Sequence, residues 1–140
     1  YQSAGAMRQK PWEVLTAPCD ILIPAATADV INIDNAGSIK AKLILQGANL
    51  PVTRQAEEAL QKRGILSVPD FIANAGGVIM AAMEYAKKGK DEAFKTISRK
   101  IRENTELVLE KAKKENELPV KAATELALGR IKEEMEKAGL

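Results

Sequence analysis

The stretch "AKLILQGANLPVTRQAEEALQKRGILSVP", Ala41 to Pro69, decides the fold. It holds two short aliphatic runs, "AKLILQ" (Ala41–Gln46) and "GILSVP" (Gly64–Pro69), each continuous rather than alternating. Runs of that kind suit strands buried on both faces of a parallel sheet. Between them "RQAEEALQKR" places Ala56, Ala59 and Leu60 on one helical face, and Gly64 is placed to end the helix. The whole reads as one β-α-β unit.

Working toward the N-terminus, "CDILIP" (Cys19–Pro24) is a third run of the same character. The link to Ala41, "ADVINIDNAGSI", is interrupted by Asn, Asp and Gly, so a shorter and less regular crossover is expected there. Residues 1–18 are the least readable part, although "PWEVL" can form a helical turn. Toward the C-terminus the chain turns helical. A helix is expected from Gly76 or Gly77 through "VIMAAMEYAKK" to a stop at Gly89. The next, from about Asp91, carries Phe94, Ile97, Ile101, Val108 and Ala112 as one stripe. The last starts at Pro119, a favoured first-turn position, with Ala123, Ala127, Ile131 and Met135 at steps of four. The run "EKAKKENE" (Glu110–Glu117) reads as a solvated face and turn.

Composition narrows the function. With 140 residues and 46% apolar content, one core and one domain are the default. Lys and Arg number 21 against 19 Asp and Glu, a net charge of +2, which argues against a nucleic-acid or membrane surface built on bulk charge. There is no histidine, which excludes a Ser-His triad and the commonest zinc-ligand sets. The single Cys19 can make no intramolecular disulfide and reads as a small buried hydrophobe beside a strand. No apolar run approaches the roughly 18 residues of a membrane span. The expected location is the cytoplasm, and the expected partner a small molecule or another protein.

In open parallel sheets ligands bind outside the carboxyl ends of the strands. Asn49 follows the second strand and Asn74 the third, so both amides belong to one edge. Each amide offers a donor and an acceptor and could grip a carboxamide or a sugar hydroxyl, while Gly76 and Gly77 allow close approach to a helix start. Each asparagine reads equally as a helix cap or turn residue. "PAAT" (Pro24–Thr27) lies at the same edge, where it either forms a tight turn or lays its backbone against a flat ring or ribose.

In order and spacing, "CDILIPAA", "GANLPVT", "RGILSVPDFIANAGGV" and the following "EY" resemble the second half of the dinucleotide-binding domain of glutamate dehydrogenases, members of the glutamate, leucine, phenylalanine and valine dehydrogenase family. The resemblance runs from about Cys19 to Tyr85, and "KAATELALGRI" fits the family's closing helix more loosely. It implies an α/β fold: half of a Rossmann-type domain with three parallel strands (19–85), followed by C-terminal helices (91–140). It also implies that Ala25 and Ala26 line the cofactor cleft and that Asn49 and Asn74 contact the nicotinamide side of NAD or NADP. The chain departs from the family at Ala81, where a substrate-contacting serine is usual, and at Leu50 and Val52, which replace a glycine and a threonine; Thr53 remains. The catalytic lysine and aspartate of the first domain and the G-x-G-x-x-G phosphate loop have no counterpart. Lys87, Lys88 and Lys90 read as cations at a helix end. No catalytic residue and no metal ligand is assigned.

The expected function is therefore the nicotinamide-side portion of an NAD(P)-dependent glutamate dehydrogenase, which deaminates L-glutamate oxidatively to 2-oxoglutarate and ammonia. The chain alone is expected to be inactive, with cofactor binding doubtful in isolation. The alternatives are part of a leucine, phenylalanine or valine dehydrogenase, or a non-catalytic interaction module derived from the family. The strand "DILI" (Asp20–Ile23) would be left as an open apolar edge, which leads to an expected homodimer, with the first domain on another chain as a further partner.

Overall fold

The computed structural model describes residues 12–139. Three parallel strands, β1 (Ile21–Leu22), β2 (Leu43–Leu45) and β3 (Leu66–Val68), form one sheet in the order β1-β2-β3. Ile21 is in register with Leu43, and Ile44 with Ser67. Hydrogen bonds run past the regular ladder: Leu43 N–H donates to Asp20 O (3.1 Å) and Gln46 N–H to Val68 O (3.2 Å). The sheet is thus the one expected, with shorter strands. Pro24 and Pro69 have no N–H to extend β1 and β3.

The links are helical. After β1 comes α1 (Ile33–Ala36), a single turn held by a reciprocal cap in which Asp34 N–H donates to Asn32 Oδ1 (3.0 Å) and Asn32 N–H to Asn35 Oδ1 (2.9 Å). The interrupted composition noted there builds this cap. Between β2 and β3 runs α2 (Arg54–Lys62), whose Ala56 N–H donates to Thr53 Oγ1 (3.3 Å) and whose exit passes through Gly64 at φ 73°. The Arg63 guanidinium donates to Ala36 O and, at 2.7 Å, to Ile39 O, tying this exit to the end of α1.

The core lies on both sides of the sheet. Leu22, Ile31, Ile39, Ile44, Ala56 and Leu60 are buried beneath α1 and α2, while Val68, Ile72, Val108, Ala112, Ala122 and Ala123 are buried on the other side. That second layer consists of α3 (Asp70–Ala73), α5 (Lys90–Glu115) and α6 (Pro119–Lys137). A sheet covered on both faces explains why its strands read as continuous apolar runs.

Several expectations change. The helix expected from Gly76 to Gly89 is shorter, α4 (Gly76–Tyr85): Lys87 takes the left-handed conformation that ends it (φ 55°), and Gly89 precedes α5 instead. Only Val108 and Ala112 of the α5 stripe are buried, and Phe94 is exposed; on α6, Ile131 and Met135 are exposed too. A helix of 26 residues is about 39 Å long and outruns strands of two or three residues. The run Glu110–Glu117 is not all solvated face. Asn116, left-handed at φ 52°, turns Glu117 back, and the Glu117 side chain is only 8% exposed. There Lys111 Nζ stands among Glu115 (2.5 Å), Glu125 (2.8 Å) and Glu117 (3.6 Å), fastening the end of α5 to α6. Glu115 and Glu125 together push the Lys111 ammonium well above the usual lysine range.

Cys19 is exposed rather than buried, because β1 is an edge strand. Ile21 and Ile23 beside it are 53% and 57% exposed. The turn expected in "PWEVL" is a 3-10 turn at Val14–Thr16, and residues 1–11 lie outside the described residues. No helix among the described residues is long and apolar enough to cross a membrane.

Candidate functional site

The three loops that leave the carboxyl ends of the strands are stitched together. Pro24 O, just past β1, accepts from Gly47 N–H (3.1 Å) and Ala48 N–H (2.9 Å), just past β2. The approach is tight at Gly47: a Cβ there would stand 3.0 Å from Ala25 Cβ and 3.2 Å from Ile23 Cγ2, so either neighbour would have to give by a few tenths of an ångström. Three residues on, Leu50 adopts the left-handed conformation at φ 51°, which costs a non-glycine residue about 1–2 kcal/mol. Its N–H is thereby presented to Asp70 Oδ2 (2.8 Å) at the start of α3. Leu50 O accepts from Asp29 N–H (2.9 Å), itself left-handed at φ 54°.

This bracing brings the two asparagines into contact. Asn74 Nδ2 donates to Asn49 Oδ1 (2.9 Å) and also lies 3.3 Å from Ala48 O and 3.4 Å from Gly47 O. Carbonyl oxygens only accept, so the chemistry fixes which end of each amide faces the other. Among the described residues Asn74 Oδ1 and Asn49 Nδ2 keep no protein partner, leaving one acceptor and one donor side by side. Neither side chain caps a helix: Asn74 follows α3 and precedes α4 without bonding either terminus through its amide. The Asn74 donor and the Asn49 acceptor are thus taken up in holding the two loops together.

Gly47, Asn49, Phe71, Asn74, Ala75 and Val78 line a shallow cleft of about 470 Å³ at this edge. Phe71 and Val78 give it an apolar wall, Val78 being 71% exposed. Ala25 packs on Gly47 at the rim, and both Ala25 and Ala26 are exposed without lining the cleft. Ala81 is exposed further along α4, a helix with no buried residue. A second cavity, of about 440 Å³, opens at the other end of β3 between Gly64, Ile65, Leu109 and Pro119, away from both asparagines.

Two features escaped the sequence reading. Asp70 was legible only as an acid at a helix start, since nothing local says that it reaches back 20 residues to Leu50. Where Glu57 and Ser67 line the second cavity, Gln46 Nε2 donates to Glu57 Oε1 (2.8 Å) and Ser67 Oγ (3.0 Å), all three residues buried. A glutamine closing an otherwise apolar strand was the available signal. Desolvation raises the Glu57 carboxyl above its ordinary value, partly opposed by the Gln46 hydrogen bond and by Arg54.

Comparison with known proteins places the fold. Residues 2–139 match the family model described as Glutamate/Leucine/Phenylalanine/Valine dehydrogenase. The chain is 47% identical over 103 residues to a glutamate dehydrogenase of Aeropyrum pernix, covering 69% of this chain and 25% of that protein. It is 55% identical over 74 residues to an NADP-specific glutamate dehydrogenase of Saccharolobus shibatae, covering 53% and 18% respectively. Among solved structures, L-tryptophan dehydrogenase from Nostoc punctiforme superimposes with a TM-score of 0.82 at 30% identity, covering 92% of this chain and 39% of that one. The chain thus spans a quarter or less of the length of these two curated relatives. With the family model running over residues 2–139 and the three-stranded parallel sheet of a half Rossmann-type domain present, the chain belongs to the glutamate, leucine, phenylalanine and valine dehydrogenase family.

Proposed function

We propose that this chain forms the nicotinamide-side portion of an NAD(P)-dependent glutamate dehydrogenase, in which Asn49 and Asn74 hold the carboxamide end of the coenzyme. One observation carries the reading. The crossed amides leave a free acceptor, Asn74 Oδ1, beside a free donor, Asn49 Nδ2, which is the complement of a carboxamide. A nicotinamide bound there would supply hydride acceptance for the oxidative deamination of L-glutamate to 2-oxoglutarate and ammonia. The chain's own part is to orient that group and shield one side of it with Phe71 and Val78. Ala25 and Ala26 would border the cleft from the β1 loop.

The catalytic lysine and aspartate implied by the family resemblance have no counterpart here, so the chain by itself is expected to be inactive in the cytoplasm, its proposed location. The open β1 edge supports self-association, in the simplest case as a homodimer. A substrate side chain less polar than glutamate's is favoured by one feature: Ala81 on α4 stands where the resemblance expects a hydroxyl.

Titration with nicotinamide mononucleotide, followed through the side-chain amide resonances of Asn49 and Asn74, tests the reading. The expected result is saturable shifts at both amides, much weaker for nicotinic acid mononucleotide, whose carboxylate cannot donate to Asn74 Oδ1. Equal response to the two ligands, or none to either, would reject it.

A further inference from the structure

We propose that Asp70 is the positioning residue that sets both asparagines of the cleft, an inference that rests on reading the cleft as the ligand site. Its carboxylate Oδ2 accepts from Leu50 N–H (2.8 Å), the residue directly after Asn49. Oδ1 accepts from Phe71 N–H (2.8 Å), and the backbone carbonyl accepts from Asn74 N–H (2.7 Å). One buried residue therefore holds the loop carrying the first amide and the short helix that delivers the second.

The chemistry requires a carboxylate. Two N–H donors converge on the two side-chain oxygens, and an asparagine could turn an oxygen toward only one of them, pressing its own donors against the other. The bond to Leu50 also matters out of proportion to its length. Leu50 is left-handed and two-thirds exposed, so little side-chain packing holds it in that conformation. Without the carboxylate only the bond from Asp29 N–H to Leu50 O (2.9 Å) still holds this backbone, so the N–H side can relax toward an extended conformation, which rotates the Asn49 side chain away from Asn74. Asp70 touches no free amide group of the cleft, so it acts through the asparagines and not on the ligand.

The experiment uses the 140-residue chain, labelled for magnetic resonance, and reads through-space contacts between the Asn74 side-chain amide protons and the Asn49 side chain. In Asp70→Asn these contacts should vanish while backbone resonances of β2 and β3 persist. The affinity for nicotinamide mononucleotide should fall about tenfold, as expected for loss of a hydrogen bond to a charged group. Contacts that persist in Asp70→Asn would overturn the proposal. Should that variant fail to fold, Leu50→Gly carries the test: it keeps the N–H donor and the carboxylate, so the contacts should survive, and their loss would overturn the proposal. Loss of the contacts in Asp70→Asn in a protein whose parent binds no mononucleotide would uphold the positioning role and reject the ligand reading instead.

Discussion

Asn74 and Asn49 lie 25 residues apart in the chain and share one hydrogen bond, Nδ2 to Oδ1 at 2.9 Å. The Asn74 donor faces two backbone carbonyls as well, and these cannot turn around as an amide can. Asn74→Ala should cost about 1–2 kcal/mol of stability through lost hydrogen bonds. Asn74→Asp should cost more at pH 7, because a carboxylate would oppose the carbonyls of Gly47 and Ala48. The gap between the two variants should close as pH falls below about 4, where a solvated aspartate protonates. Urea unfolding of both variants at the two pH values checks this.

Glu57 offers a different pH signature. Desolvation raises its carboxyl, so between the ordinary value of 4.5 and the higher folded value the native state binds more protons than the unfolded chain. Stability contributed by this group is therefore present at low pH and lost as pH rises through that window. Glu57→Gln keeps an oxygen for Gln46 Nε2 and removes the buried charge. It should raise the Tm at pH 7 by a few degrees and flatten the decline above pH 4.5. An unchanged pH profile would show that Glu57 is not the group responsible.

Gly47 is held by its neighbours rather than by its dihedral angles. Gly47→Ala places a methyl 3.0 Å from Ala25 Cβ and should destabilise by about 1–3 kcal/mol, as overpacking does. Adding Ala25→Gly removes one of the opposing atoms, though Ile23 Cγ2 at 3.2 Å remains, so the double variant should recover only part of the loss. Additive losses in thermal unfolding would refute the contact.

The β1 edge should drive association. Ile21 and Ile23 flank backbone groups that no fourth strand pairs among the described residues. Sedimentation of the parent chain at high micromolar concentration should show a dimer, and Ile21→Lys with Ile23→Lys should shift it toward monomer. A monomeric parent, or a dimer indifferent to both lysines, would remove this edge from the interface.

Much of the molecule was legible from local pattern. "AKLILQ" and "GILSVP" read as strands because a sheet covered on both faces removes the polar alternation, and Thr53 and Gly64 bracket α2 by capping chemistry that needs no distant partner. That Asn49 and Asn74 would share an edge follows from strand direction alone, since both come after parallel strands. Where elements lacked a covering layer, local pattern misled. The stripes on α5 and α6 predict burial that Phe94, Ile131 and Met135 do not find, and Cys19 is exposed at a sheet edge.

What the sequence by itself determined is therefore the kind and order of the elements, because hydrophobic period, caps and glycine positions act within a few residues. Only the tertiary structure decided which atoms meet: the amide of Asn74 against that of Asn49, Asp70 under Leu50, Gln46 on Glu57 and Ser67. Those contacts depend on how one loop rests on another, and a hydrogen bond acts over about 3 Å, a precision that no residue pattern carries until the chain has closed on itself.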